Sequence, residues 1–245
     1  MNIKFTLLAI AGFLALVVGV TGLTQNRQRI QPERGEGLLK RSAARAKAEG
    51  RSEVIVRAPL YRPAGVTSLD QALSYYTAVI ATPVDSKSYM QSPDKIVTWY
   101  KFKVIEYLNR KKPRVCSTCP STPSDIPAEM LPLQEDEVLI PRPSGSVVVD
   151  DVKVTSVESG FPPFLQSKNY LLFVQLDSSS RVGVLRIGAY GVFTVDENGD
   201  IKHINQKNHP FKHEIENADG NGNAVEQLRA KIRNFRSSQA ATSNQ

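Results

Sequence analysis

Cysteine and histidine are scarce in this chain: two and three among 245 residues. At most one disulfide can form, and any transition-metal site would consume almost the whole supply of soft and imidazole ligands. Also missing are a Gly-x-Ser-x-Gly elbow, a His-Glu-x-x-His pair, a phosphate loop and a dinucleotide fingerprint. The common hydrolase, metalloprotease and nucleotide-enzyme signatures are thereby absent, and no cofactor is expected. Long hydrophobic runs are lacking as well, with one exception at the very start.

That exception is Phe5 to Leu23, FTLLAIAGFLALVVGVTGL, inside a stretch without charge that reaches Asn26. At helical rise it is long enough to cross a hydrocarbon core. Residues 1–23 are read as either a cleaved export signal, with Val20-Thr21-Gly22 as a small-residue cleavage site, or a retained transmembrane anchor. Either fate predicts a membrane-anchored or secreted protein of the cell envelope, on the non-cytosolic face.

The formal net charge of +7 is unevenly spread. Residues 23–57 hold nine Lys or Arg against four Glu, whereas residues 58–215 hold seventeen of each sign. The basicity belongs to the stretch next to the apolar run, which makes anionic lipid headgroups the expected acidic partner. A neutral body gives no footprint for phosphate tracking, so no nucleic acid is expected there. Residues 24–65 are accordingly read as a basic stalk or linker, with a helix over Leu38 to Ala48 that Gly50 ends, read as a solvated spacer with docking on the membrane surface as the alternative.

The body, 66–210, reads as β. Ser68-Leu69-Asp70-Gln71 is a capping pattern for a short helix, and Tyr76 to Thr82 is rich in β-branched and aromatic residues. Ile96 to Leu108 alternates, with Tyr100, Phe102 and Val104 on one face and Lys101 and Lys103 on the other. A strand that long suits one bending around a small barrel. Five prolines and both cysteines then fall between Lys111 and Gln134, an excursion read as the candidate binding surface. Strands resume at Glu137 to Pro141, in a hairpin turning at Asp150-Asp151, at Asn169 to Leu176 with apolar residues on both faces, at Val182 to Ile187, at Gly191 to Val195 and at Ile201 to Ile204. Residues 211–245 are read as a C-terminal helix and disordered tail. Asn223 and Glu226 cap that helix, and Val225, Leu228, Ile232 and Phe235 form its packing stripe.

Four constellations could carry chemistry. Cys116-Ser-Thr-Cys119 can close a small disulfide loop, poise a redox pair or supply half of a zinc site; its proline-rich setting favours a local disulfide or an inert thiol pair. His203, His209 and His213 are weak metal candidates on a connector that reads as exposed. Asn217 to Asn223 imitates the start of a calcium loop, but its twelfth position is Leu228. Trp99, Tyr100 and Tyr107 are candidates for a stacking platform, although alternation sends about half of such aromatics inward.

Taken in order, the TWYKFKVIE strand (Thr98 to Glu106), DEVLIPRPSG (Asp136 to Gly145), the GFPPF turn (Gly160 to Phe164), YLLFVQL and GAYGVF resemble a group of exported bacterial proteins without an assigned activity. The resemblance spans about 66–205 and implies an OB-type barrel distantly similar to the netrin-like module of metalloproteinase inhibitors. It carries packing motifs and no active site, and netrin-like modules are usually richer in disulfides than this chain. The sequence thus predicts a mainly β protein: a small OB-like or netrin-like barrel with short flanking helices, preceded by a signal or transmembrane helix. Its expected role is a non-catalytic binding or structural module for a protein, peptide or glycan. The alternatives are an envelope thiol-redox or metal-dependent enzyme using Cys116 and Cys119, and an OB-type oligonucleotide binder.

Overall fold

The computed structural model describes residues 37–58, 65–110, 126–177, 181–205, 211–216 and 223–242, all within the second of the two units into which the chain divides. The apolar run, Cys116, Cys119, His209 and most of the calcium-like loop lie outside the described residues. Among those that are described, no helix is long and apolar enough to cross a membrane.

The architecture is mainly β, with two sheets and short helices. Helix α1 (Leu38–Ala48) leads to β1 (Glu53–Arg57), and α2 (Leu69–Tyr75) to the long hairpin of β2 (Thr77–Ser92) and β3 (Lys95–Tyr107). After the excursion come β4 (Glu137–Arg142), β5 (Gly145–Val149), β6 (Val152–Val157) and β7 (Asn169–Leu176). Then follow β8 (Gly183–Val184), β9 (Val192–Val195), β10 (Ile201–His203), α3 (Lys212–Glu216) and α4 (Ala224–Thr242).

The larger sheet has seven strands in the order β10-β9-β7-β2-β3-β4, with β8 also on β7. β8 pairs with the end of β7 (Gln175 to Val184) and β9 with its beginning (Asn169 to Val195), so β8 and β9 are two pieces of one strand path interrupted by a tight turn at Gly188–Gly191. This is why only Gly183 and Val184 of the Val182 to Ile187 run join the ladder to β7. Between β4 and β8 the ladder stays open. A single parallel bridge, Leu139 to Val182, spans the gap, with the Leu139 amide donating to the Arg181 carbonyl at 3.1 Å.

Both faces of β7 are buried. Leu171 and Phe173 face a layer formed by α2, α3 and α4, while Tyr170, Leu172 and Val174 join Tyr100, Phe102 and Val104 on the concave side. Helix α2 is capped as its sequence predicts, Ser68 Oγ accepting from the Gln71 amide at 3.2 Å. Asn223 Oδ1 accepts from the Val225 amide at 2.9 Å and so opens α4, whose Val225, Leu228 and Ile232 are buried against the sheet. Helix α4 also takes in Ser237 to Thr242, which the sequence left in the tail.

Where α2 meets β2, Asn109 is buried with both polar side-chain atoms engaged. Its Oδ1 accepts from the Ala78 amide at 2.8 Å, and its Nδ2 donates to the Leu73 and Tyr76 carbonyls at 3.0 and 2.8 Å. Asn109→Ala strands three backbone groups, and a loss of about 2 kcal/mol is expected in denaturant unfolding.

The second sheet departs most from the sequence reading. It has three strands, β1-β6-β5, and β1 comes from the stretch read as stalk. β1 runs parallel to β6, from Glu53 opposite Lys153 to Arg57 opposite Val157. The β5–β6 hairpin turns at Asp150 and Asp151, whose φ of 49° and 66° are the left-handed values a two-residue turn of this hand requires. Helix α1 is likewise not a solvated spacer. Leu39, Ala43 and Ala46, spaced for one helical face, are buried against Val152, Val154 and Ile96. Its first turn sits on the β2–β3 tip: the Leu39 amide donates to the Pro93 carbonyl at 3.1 Å and the Leu38 amide to the Asp94 carboxylate. Gly37 is needed there because a Cβ would stand 2.2 Å from that of Pro93.

Candidate functional site

Two faces of the β2–β3–β4 wall gather the unusual chemistry. On the concave face, Arg142 at the end of β4 is 1% exposed. Its two terminal nitrogens donate to the Pro162 and Phe161 carbonyls, both at 2.7 Å, and one also meets the Glu158 carboxylate at 3.3 Å. The guanidinium carbon lies over the Phe161 ring, 3.4 Å from its centroid. Among the described residues its Nε has no partner. Arg142 therefore fastens the GFPPF turn under the sheet, and Phe164 from that turn meets Tyr100, Phe102 and Tyr170 edge-to-face at 4.9 to 5.0 Å.

Burial governs the ionisation of this cluster. It makes the Arg142 guanidinium easier to deprotonate than usual, opposed by Tyr100 and Glu158. It pushes the Glu158 carboxyl above its ordinary value of 4.5, opposed by the charge and hydrogen bond of Arg142. The phenols of Tyr100 and Tyr170 are pushed up for the same reason. A carboxyl raised in the folded state holds its proton more tightly there than in the unfolded chain. Its contribution to stability is then greatest below 4.5 and falls as pH rises through the raised value. Relative to Glu158→Gln, wild type is expected to lose stability across that window in denaturant titrations at stepped pH. A relative gain with rising pH would mean that Arg142's attraction outweighs burial.

On the opposite face of β3 and β4, Trp99 is buried with Val97, Leu139 and Val182 beneath the returning excursion, where Met130 is fully covered and Ile126 and Leu133 pack beside it. Trp99 Nε1 donates to the Tyr89 hydroxyl at 2.7 Å. Arg181 donates to the Leu133 carbonyl at 3.1 Å, and Glu129 pairs with Lys87 at 3.4 Å, so the segment is held at both ends. The chain itself thus occupies the outer face of these strands.

The sequence candidates are accordingly scattered. Trp99 lies on the outer face, Tyr100 on the concave face and half-buried Tyr107 beside the concave core, so the three share no stacking surface. His203 is not on an exposed connector: it is buried at the end of β10, with its ring edge-on to Phe193 at 4.8 Å. His213 is exposed on α3. Among the described residues no group of three His, Cys, Asp or Glu is placed to hold a metal ion. Arg142, Glu158 and Asn109 were missed, because single polar residues at strand and turn ends carry no periodic signal of burial. No protein-family model and no curated protein matches the chain.

Proposed function

We propose that this protein is a membrane-tethered or exported module of the cell envelope whose β domain is a non-catalytic binding or structural element for a protein, peptide or glycan. The observation that carries the reading is the uncharged run Phe5–Leu23 followed by the basic stretch of residues 27–57. The pairing order supports an OB-type domain. β2 pairs with β3, β3 with β4, and β7 with both β2 and β8, while the bridge that links β4 to β8 is parallel. OB barrels commonly bind oligonucleotides on the outer face of their second and third strands. Here that face lies under Ile126, Met130 and Leu133, and residues 58–215 are electrically neutral, which together disfavour nucleic acid as the ligand.

Fractionation of cells making the full chain, with mass spectrometry of its native N-terminus, tests the reading. The product is expected in membranes with the run intact, or outside the cytosol with the run removed. A soluble cytosolic product that retains Phe5–Leu23 would overturn it.

A further inference from the structure

We infer that the outward face of α1 is a docking surface for the anionic headgroups of the membrane to which the chain is tethered, an inference that rests on the tethering reading above. Helix α1 is anchored inward by Leu39, Ala43 and Ala46. At 100° per residue the opposite face carries Arg41, Ala44, Arg45 and Ala48, flanked by Lys40 and Leu38. Arg41, Arg45 and Lys40 are exposed, and among the described residues none of the three has an acidic partner. The neighbouring cations differ: Lys47 is bonded to Asp151 at 3.1 Å, and Arg51 to Glu49 at 2.5 Å. Among the described residues, the cations of the helix that point away from the body are thus the ones without an acidic partner.

Three features favour lipid over other anions. The apolar run ends at Leu23, so only residues 24–37 separate a membrane-seeking segment from the helix. Exposed Leu38, 40% accessible, adds an apolar group on the flank of the basic face. Residues 58–215, which hold the large sheet, carry no surplus positive charge with which to track a nucleic acid. Packing of α1 on the sheet and the β2–β3 tip fixes the direction of this face, so docking would also set the orientation of the whole β domain above the bilayer.

The test uses the full chain with vesicles of phosphatidylcholine alone and of phosphatidylcholine with phosphatidylglycerol. It reads flotation with the vesicles and the rate of Lys40 acylation by a water-soluble reagent. Lys153, exposed on the sheet face away from α1, is the internal reference. The expected result is flotation with both vesicles, a several-fold slowing of Lys40 acylation on the anionic ones only, and loss of that slowing in Arg41→Gln/Arg45→Gln. That variant should melt as wild type does, since both side chains are solvated and Gln is a good helix former.

Flotation with both vesicles but equal Lys40 acylation would overturn the docking face and leave the tether standing. Flotation with anionic vesicles alone, abolished by the double variant, would support the face and overturn the tether. Flotation with neither would sink both. Equal shielding of Lys40 by a short DNA oligonucleotide in solution would reassign the face to nucleic acid and overturn the inference.

Discussion

Arg142→Ala is expected to destabilise the protein by about 3–5 kcal/mol, read as a lower denaturant midpoint at an unchanged slope. The substitution deletes two hydrogen bonds to the carbonyls of Phe161 and Pro162 and the guanidinium face on Phe161. It also leaves Glu158, whose side chain is 14% exposed, without the cation that opposes its burial. That last effect identifies the mechanism. Arg142→Ala combined with Glu158→Gln should recover part of the loss, because a neutral amide tolerates the site better than an unpaired carboxylate. If the double variant is no better than the single one, the loss stems from the freed GFPPF carbonyls and the aromatic cluster around Phe164.

Trp99→Ala should cost a similar amount, about 3–5 kcal/mol, the range for removing a large buried aromatic. Trp99 is 3% exposed and forms the floor on which Met130 rests, so the cavity would open beneath the returning excursion. The Tyr89 hydroxyl would lose its indole donor as well. Trp99→Phe separates the two contributions: it keeps most of the packing, removes the donor, and should cost about 1 kcal/mol from the hydrogen bond, plus a smaller cavity penalty. A loss under about 1 kcal/mol for Trp99→Ala would mean that the excursion is not packed on β3 and β4 as described.

Most of the large sheet was legible because its signals are local. Strict alternation in Tyr100, Phe102 and Val104 marks a strand with one face inward, and the stripe from Val225 to Ile232 marks a helix packed on one side. The Asp150-Asp151 turn could be read for the same reason. The second sheet was not legible as a unit, since β1 pairs in parallel with β6 about a hundred residues later, and no pattern within Glu53–Arg57 names so distant a partner. The basic residues around it give the segment the composition of a stalk. At the candidate site, Trp99, Tyr100 and Tyr107 read as a stacking platform, yet adjacency in a strand sends Trp99 and Tyr100 to opposite faces. His203 reads as exposed because it shares a connector around Asn208 and Pro210 with His209 and His213, whereas pairing with β9 sets its ring against Phe193.

Pairing of β1 with β6 has a mechanical consequence. Five residues of parallel ladder, preceded by a helix seated on a hairpin tip, stand between the chain N-terminal to Gly37 and the rest of the domain. Tension arriving through that chain would first lift α1 from Pro93 and Asp94 and only then pull β1 along β6. Strands drawn along their length must break their rungs together, whereas strands peeled from an end give way one rung at a time. If the run Phe5–Leu23 acts as the proposed tether, stretching it would unseat the helix before it disturbed the aromatic interior of the β2–β3–β4 wall.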